Sequence, residues 1–330
     1  MPELRGEQVL ITGLTGLLGP YVARVLEARG AAVRGLVRHP AGGAFPWPLE
    51  LGALDDSAAV RRALSGVGTV VHLAARAHVM RDTAADPLAS YRAVNVDGTA
   101  RLLEAASRAG ARRFVLVSSV KAAGESASGP LTETMPPQPA DPYGTSKLEA
   151  ERLVTAWAEA HGVHSAILRL PLIYGAGMRG NMRRLFDLVW RGVPLPFGAV
   201  RNRRSLVYAG NAADAVAAVL TTEAARNELF YASDGQDVST AELTRAIGSA
   251  LGRRARLIAV PPRLLACAAR AGDVVERALP CPVTSATLQR LIQSLVVDIT
   301  KLRTVTGYTP RMTLAAGLAE TASRYRCTPT

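Results

Sequence analysis

The sequence predicts an α/β fold: a doubly wound parallel sheet with helices on both faces, followed by a smaller C-terminal lobe. Three observations predict it. Short apolar runs alternate with helical stretches through the first half of the 330 residues. A glycine-rich turn joins the first run to the first helix. After about residue 171 the alternation loosens, and Gly and Pro gather between 171 and 198.

The elements follow in order. Residues 8–11 form a short apolar run ending in Thr-Gly, the look of a buried parallel strand. Residues 21–29 read as a helix stopped by Gly30. A second strand spans 32–37, a helix 57–64 and a third strand 69–73. Residues 91–109 read as one long Ala-rich helix, again followed by glycine, and 113–117 as a strand. A helix over 148–160 and a strand over 165–170 complete the pattern. Beyond it, 211–220, 240–251 and 314–325 look helical. The expected division is a dinucleotide-binding domain over 1–170, with a return segment near 203–222, and a mainly substrate-binding lobe over 171–330. Residues 124–141, rich in Ser, Pro and Gly, read as a loop.

Composition narrows the function classes. Hydrophobic residues make up 48% and aromatics only 5%, so the core must rest on Ala, Leu and Val. The net charge of +12 comes mostly from scattered Arg, with no basic run and no interleaved aromatics. That argues against nucleic acid and suits a phosphate-bearing ligand. Cys267, Cys281 and Cys327 form no CxxC pair and have no His cluster beside them, so no metal site or disulfide framework is expected. No apolar run is long enough for a membrane span or shaped as a signal peptide, and a cytoplasmic location is expected.

The turn Thr12-Gly13-Leu14-Thr15-Gly16-Leu17-Leu18-Gly19 follows a strand and opens a helix, the Rossmann-type dinucleotide fingerprint. Gly13 permits the tight turn, Gly16 lets backbone approach a pyrophosphate, and Gly19 brings the helix close. The phosphates then meet the helix N-terminus. The second strand ends Leu36-Val37-Arg38-His39, with no acid for a ribose 2′-OH. Arg38 could pair with a 2′-phosphate instead. NADP(H) is therefore favoured, with NAD(H) the alternative.

Tyr143 and Lys147 stand at i and i+4, on one face of a helix. An ammonium there stabilises a phenolate, and the phenol can exchange a proton with a sugar oxygen while hydride moves. Ser118 and Ser119 follow a strand end, where ligand groups collect in such sheets; one serine would hold the reacting oxygen.

Together these segments resemble the extended short-chain dehydrogenase/reductase family, of the NAD-dependent epimerase/dehydratase type, and its nucleotide-sugar epimerases and 4-ketoreductases above all. The resemblance runs over nearly the whole chain. TGLTGLLG resembles the family's TGxxGxxG, and His72-Leu73-Ala74-Ala75 its cofactor-lining strand end. Asn95 to Thr99 is similar to N-x-x-G-T, and Tyr143-Gly144-Thr145-Ser146-Lys147 to the catalytic motif. The resemblance implies Ser119, Tyr143 and Lys147 as catalytic residues. It implies dinucleotide contacts from Thr12, Gly13, Gly16, Leu17, Leu18, Gly19, Arg38, Leu54, Leu73, Ala74, Ala75, Asn95, Val117, Ser118 and Pro171, besides Tyr143 and Lys147. Ala53 stands where many relatives carry an aspartate. Val120-Lys121 stand where dehydratases carry Asp-Glu, which argues against dehydratase activity. Arg169 to Gly175 resembles the R-x-P-x-x-Y-G strand end, and Asn181, Arg204 and Arg290 resemble substrate diphosphate contacts.

The segments SSVKAAGE, RAHVM and NRRSLV are similar to a subgroup that reduces UDP-4-keto-6-deoxy-N-acetylhexosamines for surface polysaccharides such as O-antigen. In that subgroup His78 and Lys121 would line the sugar. The expected reaction is reduction of the C4 ketone of a UDP-linked sugar. The alternatives are a UDP-sugar 4-epimerase, of UDP-glucose or UDP-N-acetylglucosamine type, and a non-catalytic dinucleotide sensor or scaffold. The resemblance also implies a homodimer, built on the helices at 91–109 and 148–160.

Overall fold

The structure is a computed structural model and describes residues 4–39, 45–77, 86–125, 129–261, 263–265, 267, 270 and 291–326. Its strands are β1 (Gln8–Thr12), β2 (Ala32–Val37), β3 (Leu49–Leu51), β4 (Thr69–His72), β5 (Arg113–Ser119), β6 (His164–Leu170), β7 (Leu172–Tyr174), β8 (Leu206–Tyr208) and β9 (Glu228–Tyr231). Seven of them form one parallel sheet in the order β3-β2-β1-β4-β5-β6-β9. The order reverses at β1, so a crevice opens at the carboxyl ends of β1 and β4. β7 and β8 pair as a separate parallel ribbon.

Strand periodicity divides the core into two layers. Val9, Ile11, Val71, Val115 and Leu168 point to one face, where they meet α1 (Gly19–Glu27) and α7 (Ala209–Thr221). Leu10, Val70, Phe114, Leu116 and Ile167 point to the other, against α2 (Ser57–Leu64), α4 (Gly98–Ala109) and α5 (Pro142–His161). α7 is buried on nearly every side, and its alanines keep it thin enough to lie between the sheet and α1. This is the expected Rossmann-type sheet.

The smaller lobe packs α6 (Gly180–Trp190), α8 (Thr240–Leu251) and α10 (Leu314–Arg326) around Tyr174, Phe186, Tyr208, Ile247 and Leu318. α9 (Thr300–Thr306) lies beside β9. The chain leaves the large sheet at Pro171, which cannot donate to the ladder and separates β6 from β7.

Several elements differ from the sequence expectations. The single helix expected over 91–109 is α3 (Pro87–Arg92), a π-helical turn (Ala93–Asp97) and then α4. α5 begins at Pro142, well before residue 148, because Asp141 caps it: its Oδ1 accepts from Gly144 N at 2.7 Å. The stretch read as irregular holds β7 and α6. Short strands such as β3, β8 and β9 carry too few residues to show alternation, and α6 was masked by its flanking Gly and Pro.

Candidate active site

The glycine turn lies in the crevice. Gly13 has φ +73°, and a Cβ there would stand 2.9 Å from the Ala74 amide nitrogen, so only glycine lets the turn lie on the end of β4. A Cβ on Gly16 would meet only the Gly13 oxygen, at 3.1 Å, and would fill the open side of the cradle. A Cβ on Gly19 would lie 2.1 Å from Leu14 O. Gly19 thus closes the helix onto its own turn rather than onto a strand. Thr12 is fully buried; its Oγ1 accepts from Ala74 N at 3.2 Å, and its carbonyl accepts from Leu73 N at 3.1 Å. Thr12, Gly13, Leu73 and Ala74 are therefore one unit, with Ala75 half-buried beside it. Leu17 is half-buried, and Leu18 starts α1 with no side-chain cap. An open glycine cradle at an uncapped helix N-terminus fits a pyrophosphate.

His72, the last residue of β4, ties this unit to the next. One ring nitrogen lies 2.6 Å from Thr12 Oγ1 and the other 3.0 Å from Thr99 Oγ1. Burial, aided by the charge of Lys147, holds the ring down at about 3, so it is neutral at ordinary pH.

Ser119 ends β5 with its side chain opposite to that of Ser118, as strand alternation requires. Ser119 lies near enough to the Tyr143 hydroxyl to favour its ionised form. Gly144 makes the approach possible: a Cβ there would stand 2.3 Å from Lys121 O. Tyr143 is half-buried, its ring 5.9 Å from that of Tyr91, which carries the Arg76 guanidinium at 5.3 Å. Burial pushes the phenol up to about 12, with Ser119 pulling it back and Asp141 and Tyr91 adding to the rise. Lys147 is buried, and its Nζ donates to Val117 O at 2.9 Å. Burial draws it down to about 8, opposed by Glu151.

Asn95 lies in the π-helical turn, which aims it inward. It accepts from Arg76 N at 2.7 Å, and its Nδ2 donates to Ser146 Oγ at 2.9 Å. Ser118 faces away from the crevice and donates to Glu151, so its hydroxyl serves α5. Leu54 packs on the start of α4, 3.0 Å from where a Gly98 Cβ would stand. Pro171 is buried where β6 ends.

The residues expected at the substrate are more dispersed. Lys121 is held by Asp141 and Glu125 beside the start of α5. Arg204 is half-buried, donates to Gln293 O at 3.2 Å and feels the charge of Glu125. Asn181 is exposed in the first turn of α6. His78 and Arg290 lie outside the described residues. Among the described residues, no three His, Cys, Asp or Glu side chains gather as a metal site, and no helix is long and apolar enough to cross a membrane.

Sequence reasoning missed Glu151 and Asp141. Glu151 stands one turn beyond Lys147 and two beyond Tyr143, a spacing that would have shown it on the same helix face.

Residues 9–231 match the profile of the NAD dependent epimerase/dehydratase family. The chain is 35% identical over 323 residues to a UDP-glucose 4-epimerase of Vibrio cholerae, spanning 97% of this chain and 95% of that one. It superimposes on MoeE5 in complex with UDP-glucuronic acid and NAD, with a TM-score of 0.78, 26% identity and 97% and 99% of the two chains covered. It is similar also to a DesIV double mutant, a dTDP-glucose 4,6-dehydratase from Streptomyces venezuelae with NAD bound, with a TM-score of 0.77, 26% identity and 96% of each chain covered.

These complexes correct the expectation of NADP(H): the related structures hold NAD, and NAD(H) is the favoured dinucleotide. The structure supplies the reason. Val37 is packed in the core, so an apolar residue there follows from packing alone. Arg38 is exposed, and Arg34 donates to Ser65 O at 3.1 Å. Arginines are mostly exposed, so an exposed Arg38 is no specific sign of a 2′-phosphate.

Proposed function

The chain belongs to the NAD dependent epimerase/dehydratase family and is an enzyme acting on nucleotide-linked sugars; from that premise we propose that it reduces the C4 ketone of a UDP-4-keto-6-deoxy-N-acetylhexosamine, with NADH. The observation that carries this reading is the phenol of Tyr143, held protonated beside Ser119 at the end of β5. A protonated phenol beside a second hydroxyl suits a proton donor to a developing alkoxide.

When bound in the crevice, the reduced dinucleotide supplies the hydride for C4. Tyr143 gives its hydroxyl proton to the C4 oxygen, and Ser119 donates a hydrogen bond to the same oxygen. The Lys147 ammonium, buried below, stabilises the phenolate that the transfer leaves. Thr12, Gly13, Gly16, Leu73 and Ala74 would hold the dinucleotide. Lys121 and Arg204, cations near the start of α5 and the 203–205 segment, would face the sugar and its diphosphate.

The Vibrio cholerae match, spanning nearly all of both chains, favours a second reading: 4-epimerisation of UDP-glucose or UDP-N-acetylglucosamine with NAD retained. Reductant demand separates the two. A 4-ketoreductase consumes NADH in step with UDP-keto-sugar, whereas an epimerase interconverts UDP-hexoses with none added. In either case Tyr143→Phe should lower turnover by about 10²–10⁴-fold. Undiminished turnover in that variant would remove Tyr143 as the proton donor.

A further inference from the structure

A charged ladder runs behind Lys147. Ser118, Arg169 and Tyr231 stand opposite one another across β5, β6 and β9. Arg169, 4% exposed, grips Glu151 with a fork: Nη2 donates to Oε2 at 2.7 Å, and Nε lies 3.1 and 3.2 Å from the two oxygens. Its Nη1 donates to the Tyr231 hydroxyl at 3.0 Å. Ser118 donates to the same Glu151 carboxylate. Glu151 is 3% exposed and lies one helical turn from Lys147, which is equally buried.

We propose that Glu151 is a positioning residue: held by Arg169 and Ser118, it is the fixed counter-charge that keeps the Lys147 ammonium protonated behind Tyr143. A buried ammonium needs a partner, or it loses its proton. The groups around Lys147 leave this task to Glu151. His72, from β4, is neutral. Val117 O and Ser118, from β5, are uncharged acceptor and donor. Tyr91, from α3, and Asn95, from the π-helical turn, which neighbour Tyr143 and Ser146 on the same helix, carry no charge. Tyr143, on the same helix, is protonated. Lys121 is engaged by Asp141 and Glu125. Arg169, from β6, is the cation paired with Glu151, and the carboxylate stands one helical turn from Lys147.

The proposal rests on reading Lys147 as the partner of the proton donor, yet its test does not need turnover. The chain has three lysines, Lys121, Lys147 and Lys301. Protein labelled with ¹³C at lysine Cε gives one signal for each, assigned by Lys121→Arg and Lys301→Arg. The midpoint of the Lys147 signal is followed against pH in the protein without added dinucleotide. Glu151→Gln should lower that midpoint by about one pH unit or more, a tenfold loss of ammonium above it, with the other two unmoved. Glu151→Asp should restore it.

Glu151→Gln strands a buried guanidinium, so the double variant Glu151→Gln/Arg169→Met serves as the folded control and should also show a lowered midpoint, by less than the single variant because a cation is lost with the anion. The high-pH limb of kcat/KM should move acidwards with it. An unmoved midpoint in either variant overturns the role of Glu151, whatever the turnover. A lowered midpoint in a chain inert toward every UDP-sugar would instead overturn the proposed reaction and leave Glu151 in place.

Discussion

His72 closes β4 with its ring between the hydroxyls of Thr12 and Thr99, 1% exposed and neutral. Its position makes stability depend on pH. The folded ring titrates at about 3 and an unfolded one at 6.5, so between those values only the unfolded chain binds the proton. The stabilisation is complete above 6.5 and declines by ~1.4 kcal/mol per pH unit as the pH falls toward 3. In His72→Gln that slope should vanish. Urea unfolding should show a loss between about pH 7 and about pH 5 that is smaller than in wild type by about 2 kcal/mol. Equal slopes in the two proteins would mean that another group governs the acid side. The same ring stands within electrostatic reach of Lys147 and on the glycine turn, so one neutral residue joins the dinucleotide side of the site to its proton side.

The junction of β1 with α1 shows how an element sets a site. Gly19 is pressed on the Leu14 carbonyl, whereas a Cβ on Gly16 would meet only the Gly13 oxygen, at 3.1 Å. The two glycines should therefore fail differently. Gly19→Ala must push α1 off its turn, costing about 1–3 kcal/mol of stability together with NAD affinity. Gly16→Ala should leave the melting temperature near that of wild type but weaken NAD binding at least about tenfold, because its methyl group enters the cradle. Thermal melts paired with NAD titration by intrinsic fluorescence measure both. Equal losses of stability in the two variants would contradict this division. α5 gives a parallel case: its Asp141 cap fixes the first turn, and with it the height of Tyr143 over Ser119.

At the scale of the whole molecule, the two lobes are joined through Asp234. Its carboxylate accepts from the Tyr174 hydroxyl at 2.8 Å, Tyr208 N at 2.9 Å and Asn211 Nδ2 at 2.7 Å. Those donors come from β7, β8 and α7, so one buried acid binds the small ribbon to the helix that lies on the large sheet. Asp234→Ala would leave all three without this acceptor and should cost at least about 2 kcal/mol in urea unfolding. It should also broaden the transition as the lobes part company. A variant as stable and cooperative as wild type would show that apolar packing alone holds the lobes together.

The sequence by itself determined the parallel sheet and the glycine turn, and it singled out Ser119, Tyr143 and Lys147 as the proposed catalytic residues, because each is written locally: apolar runs at strand length, glycines at a strand-to-helix turn, and a Tyr and Lys one turn apart. It could not show which way a side chain faces once strands lie side by side. Ser118 and Ser119 look alike in the chain, and only the pleat of β5 sends one to Glu151 and the other to Tyr143. Val37 read as a missing acid, and only packing shows it as core. The counter-charge at Glu151 depends on Arg169 arriving from a neighbouring strand, a contact between residues 18 apart that no local pattern encodes. Charge placement in a buried site is a property of the assembled layers, and so it was decided by the tertiary structure.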